Sequence, residues 1–133
     1  MEYLTNKIME INSDSDFEKI CLKVFDFQIK NNPIYAQYAS LILNDILPKN
    51  IYEIPFLPVH FFKTEQIICN GKGIETVFTS SGVSGKQSKH LVSNLSLYKK
   101  SYLTTFQNFY GEIENYCFIA LLPSYQEREG SSL

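Results

Sequence analysis

Apolar residues recur at Phe17, Ile20, Cys21, Val24 and Phe27, three and four positions apart, directly after Ser13-Asp14-Ser15-Asp16. That spacing lines one face of a helix, and the short polar side chains ahead of it are the kind that accept hydrogen bonds from a first turn. Asn31-Asn32-Pro33 ends this helix, because proline disfavours helical geometry in the residue before it, and Pro33 can itself open a second helix. Ile34, Tyr35, Tyr38, Leu41, Ile42 and Ile46 make the second apolar stripe, closed by Leu47-Pro48-Lys49-Asn50. The pattern predicts a helical hairpin.

The pattern then changes. Residues 51–62 are strongly apolar but carry Pro55 and Pro58, which interrupt both helix and ladder; the segment is expected to be an extended, buried connector with His60 packed inside it. Gln66-Ile67-Ile68-Cys69 and Thr76-Val77-Phe78-Thr79 flank the turn residues Asn70-Gly71-Lys72-Gly73 and predict a β-hairpin. Leu91, Leu95, Tyr98, Tyr102, Phe106 and Phe109 space out as a third amphipathic helix, with Ser93 or Asn94 as its cap and Gly111 as its stop. Residues 116–122 form a continuous apolar run and read as a strand buried on both faces. A polar tail follows from Pro123 to Leu133. Strand, loop, helix and strand in the second half predict an α/β class with a mostly parallel or mixed sheet. That sheet is thin for a whole domain, as if a larger domain had been cut, so residues 1–133 are expected to be one segment of it. Its helical part is about 1–48 and its α/β part about 49–133.

Composition narrows the function classes. The net charge of −2 and scattered lysines, with Arg128 the single arginine, give no basic stripe for nucleic acid. Cys21, Cys69 and Cys117 are far apart and lack C-x-x-C spacing, which fits reduced, buried thiols better than disulfides or zinc. No signal-peptide pattern opens the chain and no window reaches the ~20 apolar residues of a membrane span, so a cytoplasmic location is expected.

The chemistry concentrates between Thr79 and His90. Gly82 and Gly85 free the backbone to curl so that successive N–H groups can face one anion. Thr79, Ser80, Ser81 and Ser84 add hydroxyl donors, and Lys86 and Lys89 add charge. Set between a strand and a helix, such a loop is a natural triphosphate cradle. It is not a Walker loop, because G-x-x-x-x-G-K-[ST] is absent. A Ser/Gly run of this kind is also what an ordinary flexible turn looks like.

Five blocks in order resemble one family. Residues 78–90 are similar to the F-x-S-S-G-T-T-G-x-x-S-x-H form of the adenylate-forming loop found in acyl-protein synthetases (the LuxE family). Ile54-Pro55-Phe56-Leu57-Pro58-Val59 with Phe62-Lys63 resembles its I-P-x-x-P and F-K segment. Leu97-Tyr98 with Ser101 resembles the helix after the loop, and Phe109-Tyr110-Gly111 that helix's end. Leu121-Leu122-Pro123-Ser124-Tyr125-Gln126-Glu127-Arg128 with Gly130-Ser131-Ser132-Leu133 resembles its L-L-P-S-Y-x-E-R and G-S-S-L signature. The matching region covers roughly residues 50–133, and the family's T-T-G stands here as Val83-Ser84-Gly85.

The resemblance implies the start of an adenylate-forming large domain and an ATP-dependent acid–thiol ligase. A carboxylic or fatty acid would be activated as an acyl-adenylate, and its acyl group passed through a cysteine to a partner protein such as an acyl reductase. Thr79, Ser80, Ser81, Gly82, Ser84, Gly85 and Lys86 would touch the ATP phosphates. The acyl-accepting cysteine and the acidic Mg²⁺ ligands are implied to lie beyond this segment, which alone is expected to be inactive. His90 would either approach the reacting group or be structural; Lys63 is either at the site's edge or solvated; Arg128 either locks against Glu127 and Glu129 or belongs to a solvated tail. A coenzyme A ligase of the phenylacetate type and a non-catalytic module docking a partner through the N-terminal helices are the alternatives. An apolar surface could also favour a homodimer.

Overall fold

The structure, a computed structural model, describes residues 2–80 and 87–119. It falls into two units, Met1–Gly73 and Ile74–Leu133.

The first unit is built on the helical hairpin. Helix α1 spans Glu2–Met9, α2 spans Asp14–Asn31 and α3 spans Pro33–Leu43. Ser13 starts α2 as expected, its Oγ accepting the Asp16 N–H at 3.2 Å. Asn32 serves both helices. Its N–H donates to Gln28 O at 2.8 Å, closing α2, and its Oδ1 accepts the Tyr35 N–H at 3.2 Å, opening α3. Helix α3 stops at Leu43, earlier than its apolar stripe predicts, because Asn44 and Asp45 turn left-handed at φ 45° and 65°. Ile46 therefore leaves the stripe and is exposed. Helix α1 is not among the elements that the sequence pattern predicts. An eight-residue helix is marginal alone and needs tertiary packing, which α2 supplies.

The core is Phe25, Tyr35, Ala39 and Ile54, with Cys21, Leu22, Ile29, Tyr38, Leu43 and Leu57 against it. The Phe25 and Tyr35 rings meet edge to face at 6.1 Å. Ala39 is 0% exposed, so a small residue fills the closest approach in this core.

The proline-bearing connector is covered only in part, not throughout as expected. A 3₁₀ turn at Ile51–Glu53 leads into buried Ile54 and Pro55, but Phe56 is 70% exposed and His60 stands in solvent rather than packed. The Tyr38 hydroxyl donates to Phe56 O at 3.3 Å, and the Tyr38 ring meets Phe61 at 5.4 Å. Phe61 opens a one-turn helix, α4 (Phe61–Thr64).

Residues 66–69 form no strand. The Asn70 N–H donates at 2.7 Å to the Asn31 carbonyl, and Cys69 Sγ lies 3.7 Å from Gln28 Oε1. The open Asn31 carbonyl at the end of α2 thus takes the backbone donor of the turn residue Asn70.

In the second unit β1 (Thr76–Thr79) pairs antiparallel with β2 (Lys89–Val92), followed by α5 (Leu95–Tyr110) and a 3₁₀ turn at Ile113–Asn115. Leu91, expected on the third helix, lies in β2. Gly111 takes φ +86° at the end of α5, where a side chain would be strained. Residues 116–119 are not a buried strand: Cys117 is exposed and Ile119 is 89% exposed. Tyr116 and Phe118 instead meet Phe106 of α5 edge to face, at 5.3 and 5.4 Å, and the Tyr116 hydroxyl donates to Tyr110 O. Residues 120–133, with the remainder of that expected strand and Arg128, lie outside the described residues.

The described chain is thus mixed, with helices and one small antiparallel ribbon rather than a parallel or mixed sheet. No described helix is long and apolar enough to cross a membrane.

Candidate phosphate-binding hairpin

β-branched and aromatic side chains in Thr76-Val77-Phe78-Thr79 favour an extended backbone, and the partner strand comes from beyond the Ser/Gly loop. The register pairs Thr76 with Val92, Val77 with Leu91, Phe78 with His90 and Thr79 with Lys89. One further step is tied by the Ser80 N–H, which donates to Ser88 O at 3.2 Å, and by the Ser88 N–H, which donates to Ser80 Oγ at 3.0 Å. The loop is therefore a hairpin connection closed at its base, and the expected strand-to-helix geometry is not what the chain adopts.

This changes which groups can serve an anion. Strand residues alternate faces, so Thr79 and Lys89 share one face and Phe78 and His90 the other. Directly opposed residues hold their Cβ atoms about 5 Å apart, which places the Lys89 and Thr79 side chains on the same face at the loop mouth, within reach of one anion. Lys89 is exposed and Thr79 half-buried. Ser80 Oγ already accepts from Ser88, leaving its O–H to donate. On the opposite face Phe78 packs against Tyr98 of α5 at 4.9 Å, and Tyr98 meets Tyr102 at 5.7 Å. His90 shares that aromatic face, in a strand and not at a helix start. Ser81, Gly82, Ser84, Gly85 and Lys86 lie outside the described residues, as does Val83.

The helix terminus expected to support the loop is elsewhere. Helix α5 begins after β2, with Asn94 as cap: its Oδ1 accepts the Leu97 N–H at 2.9 Å. Glu75, ahead of β1, accepts the Leu95 N–H at 2.7 Å, and its own N–H donates to Val92 O at 2.8 Å. Glu75 sits at the far end of the ribbon from Thr79. Four residues at ~3.3 Å each separate them by roughly 13 Å. The positive end of α5 is thus neutralised by a carboxylate and distant from the loop mouth. Glu75→Gln is expected to lower the stability of the second unit by roughly 0.5–1 kcal/mol at low salt and less at high salt. Thermal melts at two ionic strengths check this; an unchanged melt would mean that the contact contributes nothing.

The cysteines fit an acceptor role poorly. Cys21 and Cys69 are half-buried, and burial pushes both thiols above the ordinary range, Lys72 opposing this weakly at Cys69. A nucleophilic cysteine needs the opposite shift. Cys69 is not in a strand and Cys117 is exposed, so the expectation that both pack within strands is corrected. Among the described residues no group of three or more His, Cys, Asp or Glu side chains could hold a metal ion. Lys63 stands half-buried in α4 of the first unit.

Lys89 as the cross-strand partner of Thr79, and Glu75 as a helix cap, were not legible in advance; each depends on which strand pairs with β1. Compared with protein-family models, curated proteins and solved structures, the chain finds no match.

Proposed function

We propose that this chain is the N-terminal portion of an adenylate-forming acyl-protein synthetase, in which the loop between β1 and β2 binds the phosphates of ATP. The observation that carries the reading is the closed base of the hairpin. It holds Thr79, Ser80 and Lys89 around the mouth of a loop containing Ser81, Gly82, Ser84, Gly85 and Lys86. Hydroxyls, curled amides and ammonium groups are the donors that a triphosphate takes. The five ordered sequence blocks supply the choice of reaction.

In that reaction a carboxylate oxygen of the acid attacks the α-phosphorus, the bond to the β-phosphate breaks, and pyrophosphate leaves. A thiol then attacks the acyl carbon, releasing AMP, and passes the acyl group to a partner protein such as an acyl reductase. The hairpin's contribution is positional and electrostatic: its lysines and hydroxyls neutralise charge on the departing phosphates. The resemblance implies that the acidic magnesium ligands lie beyond this segment, where the ion would help neutralise the phosphates.

Nuclear magnetic resonance titration of the chain with ATP tests the reading. Amide signals of residues 79–90 are expected to move. Lys89→Ala should weaken binding about fivefold to tenfold, corresponding to a lost charge-assisted contact of ~1–1.4 kcal/mol. Lys99→Ala, on the exposed side of α5, should leave it unchanged. No movement in 79–90, or equal losses in both variants, would overturn the proposal.

A further inference from the structure

Helix α5 is the longest described element of the second unit, yet none of its residues is buried. Near its start Tyr98 meets Phe78 of the ribbon. Its last turn carries a separate cluster. Around Phe106 gather Tyr110 at 5.0 Å, Tyr116 at 5.3 Å and Phe118 at 5.4 Å, and Phe109 meets Tyr110 at 6.4 Å. Gly111 and the 3₁₀ turn Ile113–Asn115 bring the chain back to the helix, and the Tyr116 hydroxyl ties it to Tyr110 O. The rings cover one another only at their sides: Phe109 is 79% exposed, Phe118 64% and Tyr110 63%. At ~200 Å² per aromatic side chain, these three with Tyr116 leave on the order of 500 Å² in solvent, the size at which an apolar patch marks a contact surface.

The charge around this patch has one sign. Between Ser101 and Ile119 the only residues charged at neutral pH are Glu112 and Glu114, both exposed. Glu112 accepts from Gln107 Nε2 at 3.1 Å, a neutral donor that leaves its charge in place. The last turn of α5 has no basic residue, so the negative end of the helix dipole adds to the same field. The faces of the exposed rings are also their electron-rich side. Lys99 and Lys100 stand near the start of α5, more than ~12 Å along the axis from Phe109, and are too far to offset this at physiological salt.

We propose that this face docks a cationic amphipathic segment of a partner protein. Its large aliphatic side chains would lie on Phe109, Tyr110 and Phe118, and its lysines or arginines beside Glu112 and Glu114. Charge selects this occupant. A second copy of the chain would set carboxylates against carboxylates, and nucleic acid or an anionic lipid surface would meet the same repulsion. The area fits one face of a helix or peptide, since a stable interface between globular partners takes about 800 Å² a side. The surface uses no residue of the β1–β2 loop, so it stands or falls independently of ATP binding.

The chain has no tryptophan, so a tryptophan-labelled peptide reports its own binding by fluorescence. The probe is an amphipathic helical peptide of leucine and lysine, titrated with the full chain; the control replaces each of its lysines with glutamate. The lysine peptide should bind with a blue-shifted emission and the glutamate peptide should not. Phe109→Ser and Phe118→Ser should each weaken binding about tenfold, with the circular dichroism spectrum unchanged. The double variant Glu112→Gln/Glu114→Gln should weaken it about fivefold at low salt and remove most of its salt dependence. Leu41→Ser, at an exposed apolar position of α3 in the first unit, should leave it unchanged. No binding, equal affinity for the glutamate peptide, or an equal loss in Leu41→Ser would overturn the proposal. Sedimentation showing a dimer that Phe109→Ser dissociates would also overturn it, in favour of a second copy on this face.

Discussion

Phe25→Ala is expected to destabilise the first unit by about 3–4 kcal/mol, the range for removing an aromatic ring from a packed core. Phe25 is buried at the centre of α2, makes an edge-to-face contact with Tyr35, and shares the cluster with Ala39 and Ile54. Removing the ring takes away its transfer free energy and leaves a void beside a helix pair already at close approach. The loss should appear in urea unfolding followed by circular dichroism. Phe25→Leu should recover most of it. A cost below about 1 kcal/mol for the alanine variant would mean that the hairpin core lies elsewhere.

Asn32→Ala should cost about 2–3 kcal/mol, although the side chain is small. Asn32 is buried, and its Oδ1 caps α3 through Tyr35 N while its Nδ2 donates to Gln28 Oε1. Alanine removes both contacts at once and leaves a buried N–H without its acceptor, the costlier half of a lost hydrogen bond. Asn32→Ser, which keeps a hydroxyl acceptor near Tyr35 N, should recover roughly half. Equal unfolding midpoints for the alanine and serine variants would show that the cap contributes nothing. Because the same residue ends α2 and begins α3, the effect should include a change in the angle of the hairpin, read as chemical-shift changes on both helices.

These two sites show how far sequence alone reached. Ser13, Asn32, Pro33, Asn94 and Gly111 mark helix ends by local chemistry, through side-chain acceptors, a fixed proline φ and a left-handed glycine. Such signals act within a few residues and are readable one residue at a time. The α2 stripe was readable for the same reason: its period is set by the helix itself. The end of α3 was less so, since Asn44 and Asp45 adopt left-handed geometry that competes with an apolar stripe continuing to Ile46.

The misreadings share a cause. Residues 66–69, 76–79 and 116–119 all have strand-like composition, but a strand exists only when another edge pairs with it. The nearest candidate across Asn70–Gly73 does not pair with β1, whose partner is Lys89–Val92, and the Asn70 N–H goes instead to the Asn31 carbonyl at the end of α2. Residues 116–119 met aromatic partners on α5 instead of a ladder.

By itself, then, the sequence determined the helical hairpin, a third helix ending at Gly111, and the gathering of glycine, hydroxyl and lysine between Thr79 and Lys89. Only the tertiary structure decided that this loop is closed by an antiparallel partner. That pairing sets Lys89 across from Thr79 and puts the α5 terminus, held by Glu75, at the opposite end of the ribbon. Periodicity and capping are local and are written in consecutive residues. Strand pairing is a choice among distant edges, settled by which backbone donors and acceptors remain unclaimed once the helices have packed.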